Sequence, residues 1–397
     1  MKKVLALSRE LALLVQMVQQ EILQVNSTFK VDGINWPKFK KACAYHGMRH
    51  VAFSANQQQA VLPTNLSHFY QKFAQQRAKS NLDNVLEIKR LYTLFENEGI
   101  SPLLLKGALY TQLLYQNKLL RESTDIDFLF KKSDSLKGMK ILIKENYQCR
   151  DLGTFHTSKN LDSDLQELIN GSNFQELHFD KKSYNVDFHW ELFNQFFYYQ
   201  FDLSFLFDQT EQLNFYGQKI VVTRPEALFW SLIFHHGGKE FWLKFKDLVD
   251  LLAFMKTYQD QIDWQLMLQQ AKDFNVLTVV KNGFWLIREV FAFELPEAIE
   301  NELQHYAPKK IHLTVDFWGK ANYWNKMIPR WNYEQILHHS QDQGYTFLSY
   351  LKKLYNTYNS PNPFERKRIF NFPSGWGILN FIDKILSYIF YHLVGKK

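Results

Sequence analysis

Arg121–Phe130 reads RESTDIDFLF. From Thr124 onward it alternates like a strand, with Ile126, Phe128 and Phe130 on one face and Asp125, Asp127 and Leu129 on the other. Two carboxylates that close on one face repel unless something neutralises them. Arg121 would do so in part. A divalent cation would do so better, because Mg2+ takes oxygen ligands and keeps water and phosphate oxygens around it. The plainer alternative is that one aspartate caps a turn and the other lies exposed at the strand end.

Two neighbouring stretches bear on that choice. FQELHFDKKSYNVDFHWEL (174–192) holds two alternating runs on either side of Lys181–Lys182 and reads as a hairpin. Val186, Phe188 and Trp190 form its apolar face, while Asp187 and His189 share the other. Glu176, His178 and Asp180 share one face of the first run. With Lys181–Lys182 as the turn, Glu176 comes opposite Asp187, a like-charge pair that needs a cation or a shared proton. Upstream, Leu103–Leu105 reads as a short buried strand and Ala108–Tyr115 as a helix, with Lys106–Gly107 as the turn between them. A glycine there lets backbone N–H groups approach a phosphate, and Lys106 adds a point charge.

The rest of the chain is mostly helical. Val4, Leu7, Leu11, Leu14, Val18 and Ile22 follow helical spacing, and Arg9 and Glu10 break what would otherwise resemble a signal peptide. A long helix is expected over 66–98, and a helix capped by Ser133 or Asp134 over 133–146. A polar loop follows over 156–172. RPEALFWSLIFHH (224–236) reads as a helix begun by Pro225, with His235–His236 at its end before Gly237–Gly238. The next helix carries Trp242, Phe245, Val249 and Leu252 on its apolar face. YNSPNPFERKR (358–368) reads as a linker. The tail repeats apolar residues at 378, 382, 385, 389 and 393, a face that would dock on the protein, bind a partner or lie on a membrane surface. The expected organisation is a helical region over 1–95, an α/β core over 96–215, a helical region over 216–310 that completes the site, and a helical region over 311–397. The fold class is α+β, a small mixed-sheet core between N-terminal and C-terminal helical regions.

Composition narrows the function less. The chain has 397 residues, 46% of them hydrophobic and 16% aromatic, which excludes a disordered protein. A net charge of +7 suits a nucleotide, a nucleic acid or an acidic membrane surface alike. Aromatic residues do not interleave with Lys and Arg in a nucleic-acid signature. Two cysteines, Cys43 and Cys149, provide neither a disulfide framework nor a thiolate metal site, so a reducing cytoplasm is expected. No uncharged apolar run reaches the ~18 residues of a membrane span.

LLKGALY, RESTDIDFLF and NVDFHWEL, in that order, resemble the bacterial uncharacterised nucleotidyltransferase family, within the superfamily that includes DNA polymerase beta. The likeness runs over about 90–255, with FHHGG and KFKDLVDLL in the helices that follow. It implies transfer of a nucleoside monophosphate from a nucleoside triphosphate, with ATP the expected one, to an acceptor hydroxyl. It implies two Mg2+ ions held by Asp125, Asp127 and Asp187, with Asp187 nearest the acceptor and helping to deprotonate it. Lys106 and Gly107 would contact the phosphates. Arg121, His189 and Lys244 are further candidates for nucleotide contact, as is Lys246. One departure is Ala108, where the superfamily has a serine.

Other readings stay open. An Asp-x-Asp glycosyltransferase would use the acidic pair, but no doubly wound nucleotide-binding half precedes it. A binding module that kept the fold without catalysis would explain Ala108. His178 and His189 are possible metal ligands, although three carboxylates favour a hard ion over zinc. His235 and His236 are expected to cap a helix or else to reach the site. Asp247 is expected to pair with nearby lysines, and Asp250 with Lys246.

Overall fold

The computed structural model describes residues 5–151, 161–170, 174–194, 197–320 and 330–342, with scattered positions between 346 and 387. Four helices come first: α1 (Arg9–Leu23), α2 (Trp36–His46), α3 (Arg49–Gln58) and α4 (Thr64–Asn97). Ser8 caps α1 by accepting from the Leu11 amide, and Asn35 caps α2 from the Lys38 amide. The α/β part then runs β1 (Leu103–Leu104), α5 (Ala108–Leu114), β2 (Ile126–Leu129), α6 (Lys132–Lys144), β3 (Gln148–Cys149), α7 (Leu161–Asn170), β4 (Glu176–Lys181) and β5 (Tyr184–His189). After α8 (Ser204–Asp208) comes a separate hairpin, β6 (Thr210–Phe215) and β7 (Gln218–Thr223). The remaining helices are α9 (Pro225–Leu232), a π-helical turn over Ile233–Lys239, α10 (Phe245–Tyr258), α11 (Trp264–Asp273), α12 (Leu277–Phe291), α13 (Glu297–Leu303), α14 (Ile311–Lys320) and α15 (Arg330–Ser340).

The five-stranded sheet has the order β1-β2-β5-β4-β3. It is mixed, because β2 and β5 pair in parallel while the other neighbours are antiparallel. The apolar face of β2 and β5 makes the sheet's core: Phe130 stacks on Phe188 at 3.9 Å between ring centroids, and Phe95 of α4 meets Phe128 and Phe130 edge-on. Helix α6 crosses this face at Gly138, where an added Cβ would lie 2.9 Å from Phe130 and 3.0 Å from Phe188. One buried apolar cluster runs from Leu11 of α1 to Leu337 of α15. The N-terminal helices are tied to the site's surroundings by polar contacts. The His46 Nδ1 accepts from the Phe245 amide at the start of α10, and its Nε2 donates to the Trp318 carbonyl. Burial pushes that imidazole down to about 4, which fits a neutral ring with one donor and one acceptor nitrogen. Arg49 of α3 grips Glu122 through its guanidinium and its amide.

Several expectations are corrected. The hairpin turns at Lys182–Ser183, since Lys181 pairs with Tyr184. Glu176 therefore lies opposite His189, and His178 opposite Asp187. The pairing moves without flipping a face, and each acid meets a histidine instead of another acid, which removes the repulsion of the expected register. Helix α6 begins at Lys132 with no side-chain cap, and the Ser135 hydroxyl turns back to the Lys131 carbonyl. The loop expected over 156–172 contains α7, which buries Leu165, Leu168 and Ile169. The β6–β7 hairpin was not expected at all, and the boundary placed after 215 falls in its turn. Both turn residues, Tyr216 and Gly217, have positive φ. His235–His236 do not close a helix, because the chain continues through them as a π-helical turn. The 358–368 linker lies outside the described residues, as do tail positions 385, 389 and 393; Ile378 and Ile382 are exposed.

Candidate active site

The parallel pairing of β2 with β5 sets Asp127 directly beside Asp187. Both point away from the Phe128–Phe188 face. Asp127 is buried at 1% exposure, because its strand is covered on both sides. Its Oδ1 lies 2.7 Å from the Lys106 Nζ and 3.2 Å from the His189 Nε2. Its Oδ2 is buried with no hydrogen-bond partner. Asp127, Asp187 and His189 can bring one ligand atom each to within 4.8 Å of one another. Asp125 precedes the strand and is not in that group.

The cations come from several elements. Lys106 sits in the β1–α5 turn. Burial opposes its charge, but Asp127, Asp125 and Asp187 outweigh burial and hold it protonated, well above the usual lysine range. His189, at the end of β5, is flanked by Asp127 and by Glu176, whose Oε2 lies 3.0 Å from its Nδ1. Burial disfavours its charge, but the two acids raise it to about 9. Glu176 also receives the Lys239 ammonium at 2.8 Å. Burial would raise the Asp125 carboxyl, yet Lys106, Lys246 and Arg121 pull it well below the usual carboxylate range. Asp187 goes the other way. Burial, then Asp127 and Asp125, raise it from 3.8 to about 6. Its nearest cationic candidate, the His178 Nε2, is 3.9 Å away, and that ring is held by Asp151 at 2.9 Å.

Gly107 adopts φ 61 and ψ −121, a conformation open only to glycine, and a Cβ there would meet the Ser123 Oγ at 2.9 Å and the Asp125 carbonyl at 3.2 Å. Helix α5 has only seven residues, so the turn itself, rather than a helix dipole, has to supply any phosphate contact.

Arg121 adds to the neutralising of Asp125 read in the sequence, but its own ion pair lies elsewhere. It forms a buried two-pronged pair with Asp250 of α10, at 2.9 Å from its Nε to Oδ1 and from its Nη2 to Oδ2. Asp250 is thus bound to Arg121, not to Lys246. It also accepts from the Tyr115 hydroxyl at 2.6 Å and the His236 Nε2 at 3.0 Å. Asp247 has the His236 Nδ1 at 3.5 Å and no lysine among the described ion pairs. Lys244 is exposed at the start of α10, while Lys246 is half-buried, with its stem over Gly47 and its charge within reach of Asp125. His235 is half-buried, and desolvation, then Lys106, keeps it neutral. Sequence reasoning did not find Lys239, Asp151 or Tyr115. Each gains its meaning from a partner far away in the chain, and none carries a local signal.

A mixed sheet that brings an Asp-Ile-Asp strand into parallel register with a second acidic strand, beside a Lys-Gly turn, defines a core of the nucleotidyltransferase type. The chain belongs to the family described as "Uncharacterised nucleotidyltransferase", whose model matches residues 32–292. That span is wider than 90–255, taking in α2 through α12. No curated protein matches the chain. One solved structure, described as an antigenic nucleotidyltransferase-like protein from Paracoccidioides brasiliensis, is similar over 55% of this chain and 96% of its own, with 14% identity and a TM-score of 0.31.

Proposed function

We propose that the protein transfers a nucleoside monophosphate from a nucleoside triphosphate, ATP being the expected one, to an acceptor hydroxyl. The observation that carries this reading is the Asp127–Asp187 register, with the Asp127 Oδ2 buried and unpartnered. A buried carboxylate oxygen without a donor is unfavourable unless a ligand completes it. Asp127 and Asp187 would hold Mg2+, with Asp125 next to them. A bound divalent ion would stabilise charge on the attacking and leaving oxygens. His189 fits a metal less well, since both ring nitrogens already face carboxylates and the ring is cationic.

The chain's own residues divide the remaining work. Lys106, with its charge held on beside Asp127, would contact the triphosphate. His189 and Glu176 fix the Asp127 carboxylate from behind. The acceptor oxygen would bond to the α-phosphorus as the bond to the β-phosphate bridging oxygen breaks and pyrophosphate leaves. Asp187, in register with Asp127, would take the acceptor's proton. Arg121 would act from behind the turn through the Gly107 carbonyl, and Lys244, exposed at the start of α10, would reach a phosphate only from outside. Ala108, in place of the superfamily's serine, favours a second reading, a module that binds without catalysis.

Calorimetric titration of ATP, GTP, CTP and UTP, each with and without Mg2+, tests the proposal on wild type and on Asp125→Asn/Asp127→Asn. Mg2+-dependent binding lost in the double variant is the expected result. Absence of binding by all four would sink the triphosphate reading and favour the module.

A further inference from the structure

We propose that Asp250 is a positioning residue that sets the Lys106–Gly107 turn through Arg121; this rests on the reading of that turn as the triphosphate contact. Asp250 is fully buried in α10, and both its oxygens are taken: Oδ1 by the Tyr115 hydroxyl and the Arg121 Nε, Oδ2 by the Arg121 Nη2 and the His236 Nε2. Held in two prongs, the guanidinium plane has one direction left for its remaining nitrogen. That nitrogen, Nη1, donates to the Gly107 carbonyl at 3.3 Å. The same carbonyl accepts from the Thr111 amide at 3.2 Å and the Thr111 hydroxyl at 3.0 Å, both from within α5.

Arg121 is therefore the donor that ties this carbonyl to the rest of the protein. Glycine has the widest choice of backbone conformations, so a turn hinged on Gly107 needs an outside constraint to stay at φ 61. Lys106 comes immediately before that hinge, and the direction its side chain takes depends on it. The contacts run from α10 through Asp250, Arg121, Gly107 and Lys106 to Asp127. A buried ion pair is a weak source of stability compared with apolar packing of the same volume. What this pair adds is orientation, which an apolar contact between α5 and α10 would not supply.

Hydrogen exchange in the ligand-free protein tests the positioning without using nucleotide. In Asp250→Asn the amides of 106–111 should exchange faster by about tenfold, while the β6–β7 hairpin keeps its wild-type protection. Unchanged exchange at 106–111 in a folded Asp250→Asn protein would overturn the proposal. If that variant does not fold, Tyr115→Phe carries the test, since it removes one donor from the carboxylate and keeps the ring; unchanged exchange at 106–111 again counts against the idea. A double-mutant cycle supplies the second readout: Asp250→Asn should weaken Mg2+–nucleotide binding in the wild-type background and have no further effect in Lys106→Ala. Equal losses in both backgrounds would show that Asp250 does not act through the turn. Faster exchange at 106–111 in a protein whose wild type binds no nucleotide would leave the positioning standing and reject the phosphate role.

Discussion

Replacing Asp187 with asparagine should stabilise the metal-free protein at pH 8. Asp187 is the carboxylate in the site that the chain's own cations do not hold down. Burial and the neighbouring Asp127 and Asp125 raise it from 3.8 to about 6. A carboxyl that binds its proton more tightly in the folded chain favours folding at low pH. That contribution is whole below about 3.8 and is lost as the pH rises through about 6. Above both values the folded protein carries an unfavourable charge worth about 3 kcal/mol. The side chain is only 15% exposed, so solvent screening removes little of this. Asparagine fills the same volume without the charge. In EDTA, urea unfolding followed by circular dichroism should therefore show Asp187→Asn more stable than wild type by about 2–3 kcal/mol at pH 8. The gap should narrow through pH 6 and close near pH 4. Saturating Mg2+ should reverse the order, because an ion that binds the folded wild type stabilises it by mass action. A variant equal to or weaker than wild type in EDTA at pH 8, or an advantage that grows as the pH falls, would refute the electrostatic reading of the site.

Three other outcomes are expected. Lys106→Ala should weaken Mg2+–nucleotide binding by about ten- to a hundredfold, the range for losing a charge-assisted hydrogen bond, as read by calorimetry. Gly107→Ala places a Cβ 2.9 Å from the Ser123 Oγ in a backbone region that alanine avoids; a destabilisation of about 1–3 kcal/mol and loss of nucleotide binding should follow together, by thermal melting and titration. Gly138→Ala crowds Phe130 and Phe188 on the far side of the sheet. It should lower the melting temperature by an amount matching about 1–3 kcal/mol while the folded fraction binds nucleotide as wild type does.

What the sequence made legible was periodic or punctuated. The alternation in DIDFLF and NVDFHW gave β2 and β5 and their faces, and the Lys-Gly turn marked the start of α5. The long apolar spacing of α4 was equally clear. The register of the 176–189 hairpin was not, because Lys181–Lys182 and Lys182–Ser183 are both polar dipeptides and either serves as a two-residue turn. The register was decided by whom the acids meet across the strands. The β6–β7 hairpin escaped because its first strand, TEQLNF, is half-exposed and mostly polar, so its alternation is faint; Val221 is fastened to α4 by the Tyr92 hydroxyl. Arg121 showed the limit most plainly. Read locally it belongs to the acidic strand a few residues on, but its carboxylate partner lies 129 residues away on α10. Long-range ion pairs have no sequence period.

The repulsion inside DIDFLF is resolved in three different ways for three acids. Asp127 is flanked by Lys106 and His189, which keep their charge through the acids around them, Glu176 and Asp127 in the case of His189. Asp125 is drawn down by Lys106 and Lys246 and stays ionised. Asp187 has only the His178 ring at 3.9 Å, and burial with the two neighbouring acids outweighs the cations and raises it to about 6. Acids gathered together are therefore weak evidence for a cation, since lysine and histidine neutralise two of the three. The stronger evidence is what those cations leave over: one raised carboxyl, in register with one buried carboxylate oxygen that accepts no hydrogen bond. The Asp247 Oδ2 beside His236 is also buried and unpartnered, so what singles out the Asp127 oxygen is its register with Asp187. A site that exchanges a proton for a divalent ion has a physical reason to leave it open.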